Sequence, residues 1–136
     1  MITHAKISRI EAMQPYLHER VRRIVLCLQR QGFDPWIFET LRTKERQWWL
    51  LGAGRTSKEM QSFGIPWKYC KLYARPKDKK VTWTVKSKHL VGKAADIICR
   101  KKLWNNPAFF RTLKVCAERE GFKTLNIETC HIEWGG

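Results

Sequence analysis

At 136 residues, with 43% apolar and 12% aromatic content, the chain is long enough for one domain with a real core and too short for two comfortable ones. Lys and Arg number 27 against 12 Asp and Glu, and the resulting +15 favours anionic partners such as nucleic acid, acidic lipid or a cell-wall polymer without naming a chemistry. No apolar run reaches the roughly 18 residues of a membrane-spanning helix, and "MITHAKISRIEAMQPY" lacks the apolar stretch of a secretory signal.

In chain order, Ser8-Arg-Ile-Glu11 has capping-box spacing and predicts a short first helix. Pro15 suits the first turn of a second helix, predicted to run to about Gln31 and stop at Gly32. Leu17, Val21, Ile24 and Leu28 share one face of it, with Arg20, Arg22, Arg23 and Arg30 largely elsewhere. "PWIFETLR" reads as a strand after the turn residues Asp34 and Pro35. "TKERQWWLLGAG" reads as a helix opened by Thr43 and closed near Gly52 or Gly54.

From Arg55 to Lys80 no period is sustained, which predicts a long irregular segment. Within it, Trp67, Tyr69 and Tyr73 alternate with Lys68, Lys71, Arg75 and Lys77. This is either a surface-binding lip or aromatics packed beneath solvated lysines. "VTWT" and "AADIICR" predict strands flanking a turn. Asn106, Pro107 and Gly121 bracket a helix whose Phe109, Leu113 and Cys116 face the core. "FKTLNIETCHIEWGG" predicts one or two short strands. The five cysteines are odd in number and lack CxxC spacing, so mostly buried reduced thiols are expected, in a protein made in a reducing compartment. The succession predicts an α+β single domain over residues 1–136: a small antiparallel sheet flanked by helices, with no repeat or linker.

The chemistry concentrates in "SKHLVGKAAD". Gly92 admits backbone conformations closed to other residues, and Ala94 and Ala95 clear space, so Asp96 can return near His89. An imidazole and a carboxylate are both zinc donors, and a catalytic zinc commonly takes three protein ligands. His4 and His18 read as surface residues. His131 sits in "IETCHIEW" with Glu128 three positions before it and Glu133 two after. A carboxylate there could take a proton from water activated at the metal. By spacing alone, HxxxxxxD and ExxH are weak patterns.

"SKHLVGKAAD" resembles the SxHxxGxAxD motif of peptidoglycan metallopeptidases: the D-alanyl-D-alanine carboxypeptidases and dipeptidases and the L-alanyl-D-glutamate peptidases of phage endolysins. Ser87, His89, Gly92, Ala94 and Asp96 carry the match. "ETCHIEW" is similar to the family's second motif through Glu128, His131 and Glu133. "LRTKERQWWLLGAGRT" resembles an arginine segment of the endolysin branch through Arg42, Gln47, Leu51, Gly54, Arg55 and Thr56. One departure concerns the short approach to the second motif, where Trp-Gly-Gly follows His131 instead of preceding it.

The resemblance implies a hedgehog-type, DD-peptidase-like fold and Zn2+ held by His89, Asp96 and His131. It makes Glu128 the general base, with Glu133 as its competitor, and Arg42 the stabiliser of the oxyanion. Ser87 and Gln47 would bind or orient. It further implies bacterial peptidoglycan as partner and a monomer without specific nucleic-acid binding or a separate wall-binding domain. Such an endolysin would be made in the host cytoplasm and reach the wall by holin-type release. Cleavage between L-alanine and D-glutamate is expected first, D-Ala-D-Ala carboxypeptidase or dipeptidase activity second. The competing class is a non-enzymatic basic module that binds nucleic acid or wall polymer.

Overall fold

The computed structural model describes residues 4–125 and 129–135. They form two compact units: residues 4–6 with 42–90, and residues 7–41 with the described part of 91–135.

The second unit carries the sheet. Strands β1 (Pro35–Glu39), β2 (Ala94–Cys99), β3 (Phe122–Thr124) and β4 (His131–Trp134) lie in the order β1-β2-β4-β3, each pair antiparallel. Helix α1 (His18–Arg30) continues from a 3-10 turn at Pro15–Leu17 and buries Val21, Ile24 and Leu28, the face its apolar spacing predicts. Gly32 follows in the left-handed region at φ +88°, as a helix stop requires. The other long helix of this unit, Pro107–Arg119, is opened by Asn106, whose side chain accepts the Phe109 amide at 3.3 Å. It buries Phe109, Phe110, Leu113, Cys116 and Ala117 in a core shared with Ile97, Ile98, Phe122 and Ile132. Removing each such side chain from water contributes about 1.5–3 kcal/mol.

The first unit holds three shorter helices: α2 (Lys44–Gly52), α3 (Ser57–Gln61) and α4 (Trp67–Tyr73). The helix Pro107–Arg119 is therefore α5. The Thr43 hydroxyl accepts the Arg46 amide at 3.0 Å, the expected cap of α2. Leu51, Met60, Ile65, Cys70 and Tyr73 form a separate small core, and burial raises the Cys70 thiol pKa.

Several expectations need correction. The segment from Arg55 to Lys80 is not one irregular loop. Thr56 and Glu59 form a reciprocal capping box that starts α3, and Pro66 leads into α4. Tyr73 is buried and Tyr69 packs on the same core, while Lys68, Lys71 and Lys77 are exposed, so two of the three aromatics are structural. "VTWT" forms no strand, and Trp83 is 69% exposed, so its alternation marks no buried face. The turn at Ile10–Ala12 is 3-10 and lacks a Ser8 cap; the Ile7 and Arg9 carbonyls beside it accept from the Thr40 hydroxyl. Cys27 and Cys116 are disulfide-bonded across α1 and α5, a bridge not expected, while Cys70, Cys99 and Cys130 are outside any disulfide, in line with mostly reduced thiols.

Gly92 adopts φ +70°, and a Cβ there would meet the Gln14 amide nitrogen at 3.2 Å. That amide donates to the Gly92 carbonyl at 3.0 Å. Gly92→Ala is expected to destabilise the fold by about 1–2 kcal/mol through the left-handed backbone alone. Urea unfolding checks this; an unchanged midpoint would contradict the turn geometry.

Candidate metal site

Antiparallel register builds half of the site. Asp96 on β2 stands directly opposite His131 on β4, so both side chains leave the same face of the sheet. The His131 Nδ1 lies 3.2 Å from Asp96 Oδ1. On the other side of the ring, Nε2 lies 2.8 Å from Glu133 Oε1, and Glu133 Oε2 is 3.8 Å from Lys123 Nζ on β3. Trp134, one position along β4, points to the opposite face, where its ring packs on Phe122 and lies under Arg20 of α1. Helices thus cover one face of this strand, and the site occupies the other.

His89 comes from the 3-10 turn Lys88–Val91, immediately before Gly92 reverses the chain into β2. The Ser87 hydroxyl accepts the His89 amide at 3.2 Å, and the His89 carbonyl accepts the Arg42 amide at 2.9 Å. Burial of Ala94 and Ala95 lets β2 run close beside β4. The ligand atoms of His89, Asp96 and His131 all lie within 4.8 Å of one another, a group that could hold a metal ion. Bonds of about 2.1 Å to a tetrahedral zinc set its ligands about 3.4 Å apart. The Asp96–His131 edge, at 3.2 Å, is close to that length. Two imidazoles and one carboxylate are also a donor set suited to zinc, so the residues fit the ion.

Arg42 is buried in the first unit, and its guanidinium donates to Gln47 Oε1 at 2.8 Å. Gln47 in turn donates to the Thr84 carbonyl at 2.7 Å, which fixes both side chains. Arg55 and Thr56 have local work instead: Arg55 donates to the Leu51 carbonyl at the end of α2, and Thr56 caps α3. Glu128 lies outside the described residues. His4 and His18 are half-buried rather than free on the surface. His4 stacks on Trp49 at 5.3 Å, and a His18 ring nitrogen sits 2.8 Å from the Met13 carbonyl.

Sequence reasoning missed Glu39. A bulge at Phe38 shifts the β1 register so that Glu39, only 2% exposed, stands opposite Asp96. The one signal was an acid ending an otherwise apolar strand.

No family model matches the chain, and no curated protein matches it in sequence. Solved structures do share its fold. A variant of the vancomycin-resistance D,D-pentapeptidase VanY from a VanB-type cassette, in complex with Zn(II), superposes with a TM-score of 0.58 at 18% identity, covering 91% of this chain and 73% of that one. The LD-carboxypeptidase LdcB gives 0.58 at 16%, covering 91% of this chain and 59% of its own length, less than two thirds. The L-Ala D-Glu endopeptidase ChiX of Serratia marcescens gives 0.50 at 17%, covering 92% and 82%. The mixed α/β architecture with a four-stranded antiparallel sheet is thus a fold found among peptidoglycan peptidases.

Burial works to lower the His131 pKa, but the Asp96 and Glu133 carboxylates outweigh it and hold the ring above its ordinary value. In the metal-free protein this charge stabilises the fold fully below about pH 6.5, and the contribution is lost as pH rises through the elevated native value. Zinc needs the neutral ring. Its affinity is therefore expected to rise with pH across the His131 titration, with proton release on binding in the acid part of that range. Calorimetry in two buffers of different ionisation enthalpy measures the proton; a pH-independent affinity with no release would contradict the arrangement.

Proposed function

We propose that the protein is a zinc-dependent peptidase that cleaves peptidoglycan stem peptides. The observation that carries this reading is the convergence of His89, Asp96 and His131, from a glycine turn and two paired strands, on one potential ion site. The fold shared with VanY, LdcB and ChiX supports it. The +15 charge suits an anionic wall.

When bound, zinc supplies Lewis acidity and lowers the pKa of water to about 7. The chain's own residues do the rest. His89, Asp96 and His131 hold the ion. Glu133 accepts a hydrogen bond from Nε2 of His131 and leaves Nδ1 to face Asp96 and the ion, so Glu133 orients and does not serve as base. Glu128 takes the proton of the attacking water and returns it to the leaving amine. Arg42, held straight by Gln47, meets the charge that develops on the scissile carbonyl oxygen. Ser87 shapes the turn that presents His89.

Within this reading we assign the bond between L-alanine and D-glutamate and the role of a phage endolysin. It acts as a monomer, is made in the host cytoplasm and is released to the wall by a holin. D-Ala-D-Ala carboxypeptidase or dipeptidase activity is the second reading, supported by the fold shared with the D,D-pentapeptidase VanY. Digestion of purified peptidoglycan followed by mass spectrometry separates them. New L-alanine carboxyl ends are expected; release of free D-alanine or the D-Ala-D-Ala dipeptide in their place would favour the second reading.

Glu128→Ala is expected to keep one zinc per chain and lose hydrolysis by about 10²–10⁴-fold. His89→Ala should lose the metal. Metal analysis beside a lysis assay checks both, and undiminished lysis by the Glu128 variant would remove that residue from its role.

A further inference from the structure

The face of the sheet that carries Asp96 and His131 continues into an aromatic surface that none of the catalytic roles uses. On β2, Ile98 follows Asp96 on the same face, and its cross-strand partner is Trp36. From there rings adjoin one another: Trp36 and Phe38 at 5.8 Å, then Phe38 and Trp104 at 5.0 Å, both edge-on. The Arg100 guanidinium lies 5.4 Å from the Trp36 ring centre. Trp104 is 49% exposed, and Arg100, Lys101 and Lys102 beside it are exposed cations.

The backbone under Trp104 is unusual. Lys102 and Leu103 both have positive φ, 66° and 47°, in the turn closed by a bridge between Cys99 and Leu103. Neither is glycine, and such conformations cost about 1–3 kcal/mol each. The turn holds a large ring out toward solvent next to three positive charges.

We propose that Trp104, backed by Phe38 and Trp36, is a stacking platform for the amino sugar that bears the stem peptide. The exposed cations Arg100, Lys101 and Lys102 beside it would draw in the anionic polymer that carries the sugar. The proposal rests on the peptidoglycan-peptidase reading and sharpens it. Flat aromatic faces match the apolar faces of pyranose rings, and the cations complement an anionic glycopeptide.

Distance selects the bond. Trp36 stands two residues along the strand from the level of Asp96, about 7 Å. In an extended substrate, the lactyl group and one residue separate the sugar from the L-Ala–D-Glu bond, also about 7 Å at roughly 3.6 Å per unit. The D-Ala–D-Ala bond lies about five such units away, about 18 Å. A sugar over the Trp36 end of this aromatic row would bring the first peptide bond of the stem to the level of Asp96.

The test uses the zinc-loaded full chain with 15N-labelled tryptophan and the N-acetylglucosamine–N-acetylmuramic acid disaccharide as probe. Saturable shifts of the Trp104 indole N–H are expected, with at least tenfold weaker binding in Trp104→Ala while the remaining indole signals keep their positions. A parallel assay compares hydrolysis of a disaccharide-bearing muropeptide with that of the sugar-free stem peptide, and about tenfold or greater preference for the former is expected. Shifts absent or confined to other tryptophans, or equal binding by the variant, would overturn the platform even where hydrolysis proceeds. Indole shifts without hydrolysis of either substrate would support the platform and overturn the peptidase reading.

Discussion

The site depends on one cross-strand pairing: Asp96 against His131, a carboxylate oxygen 3.2 Å from an imidazole nitrogen. A slip of one residue between β2 and β4 would send His131 to the face where Trp134 packs under α1, because side chains alternate at every step. The rest of the second unit secures that register. Lys123 and Phe122 on β3 oppose Glu133 and Trp134, while Ile132 is fully buried between the two site-facing residues of β4. The fold thus converts a packing constraint into a chemical one.

In both units, positioning is done mostly by backbone groups and by short polar side chains. Gly92 and Ser87 shape the turn that presents His89, and Gln47 anchors Arg42 through a main-chain carbonyl. Glu133 and Asp96 hold opposite nitrogens of His131, so the ring has little freedom to rotate. A ring held from both sides leaves one orientation for its Nδ1, the arrangement a metal ligand needs. The strong positive charge of the chain favours anionic partners.

What could be read in advance was what local chemistry decides. α1 announced itself by Leu17, Val21, Ile24 and Leu28; α5 by Asn106, Pro107 and Gly121; α2 by Thr43. His89, Asp96 and His131 were legible through the resemblance of their two motifs to a known family, because their spacing alone is a weak signal. Helices α3 and α4 were not, since 5 and 7 residues hold too few turns to show a period and their burial is tertiary. The Cys27–Cys116 bond joins residues 89 apart and exists only because α1 packs on α5. Glu39 escaped notice because a bulge decides which acid meets Asp96.

The central claim is that two imidazoles and one carboxylate share a single ion. X-ray absorption at the zinc edge of the loaded protein tests it most directly. The account predicts one zinc per chain in a shell of nitrogen and oxygen at about 2.0–2.2 Å, with the outer-ring scattering of two histidines. A sulfur shell near 2.3 Å, which would bring in Cys130 beside His131, or a protein that retains no zinc, would contradict it.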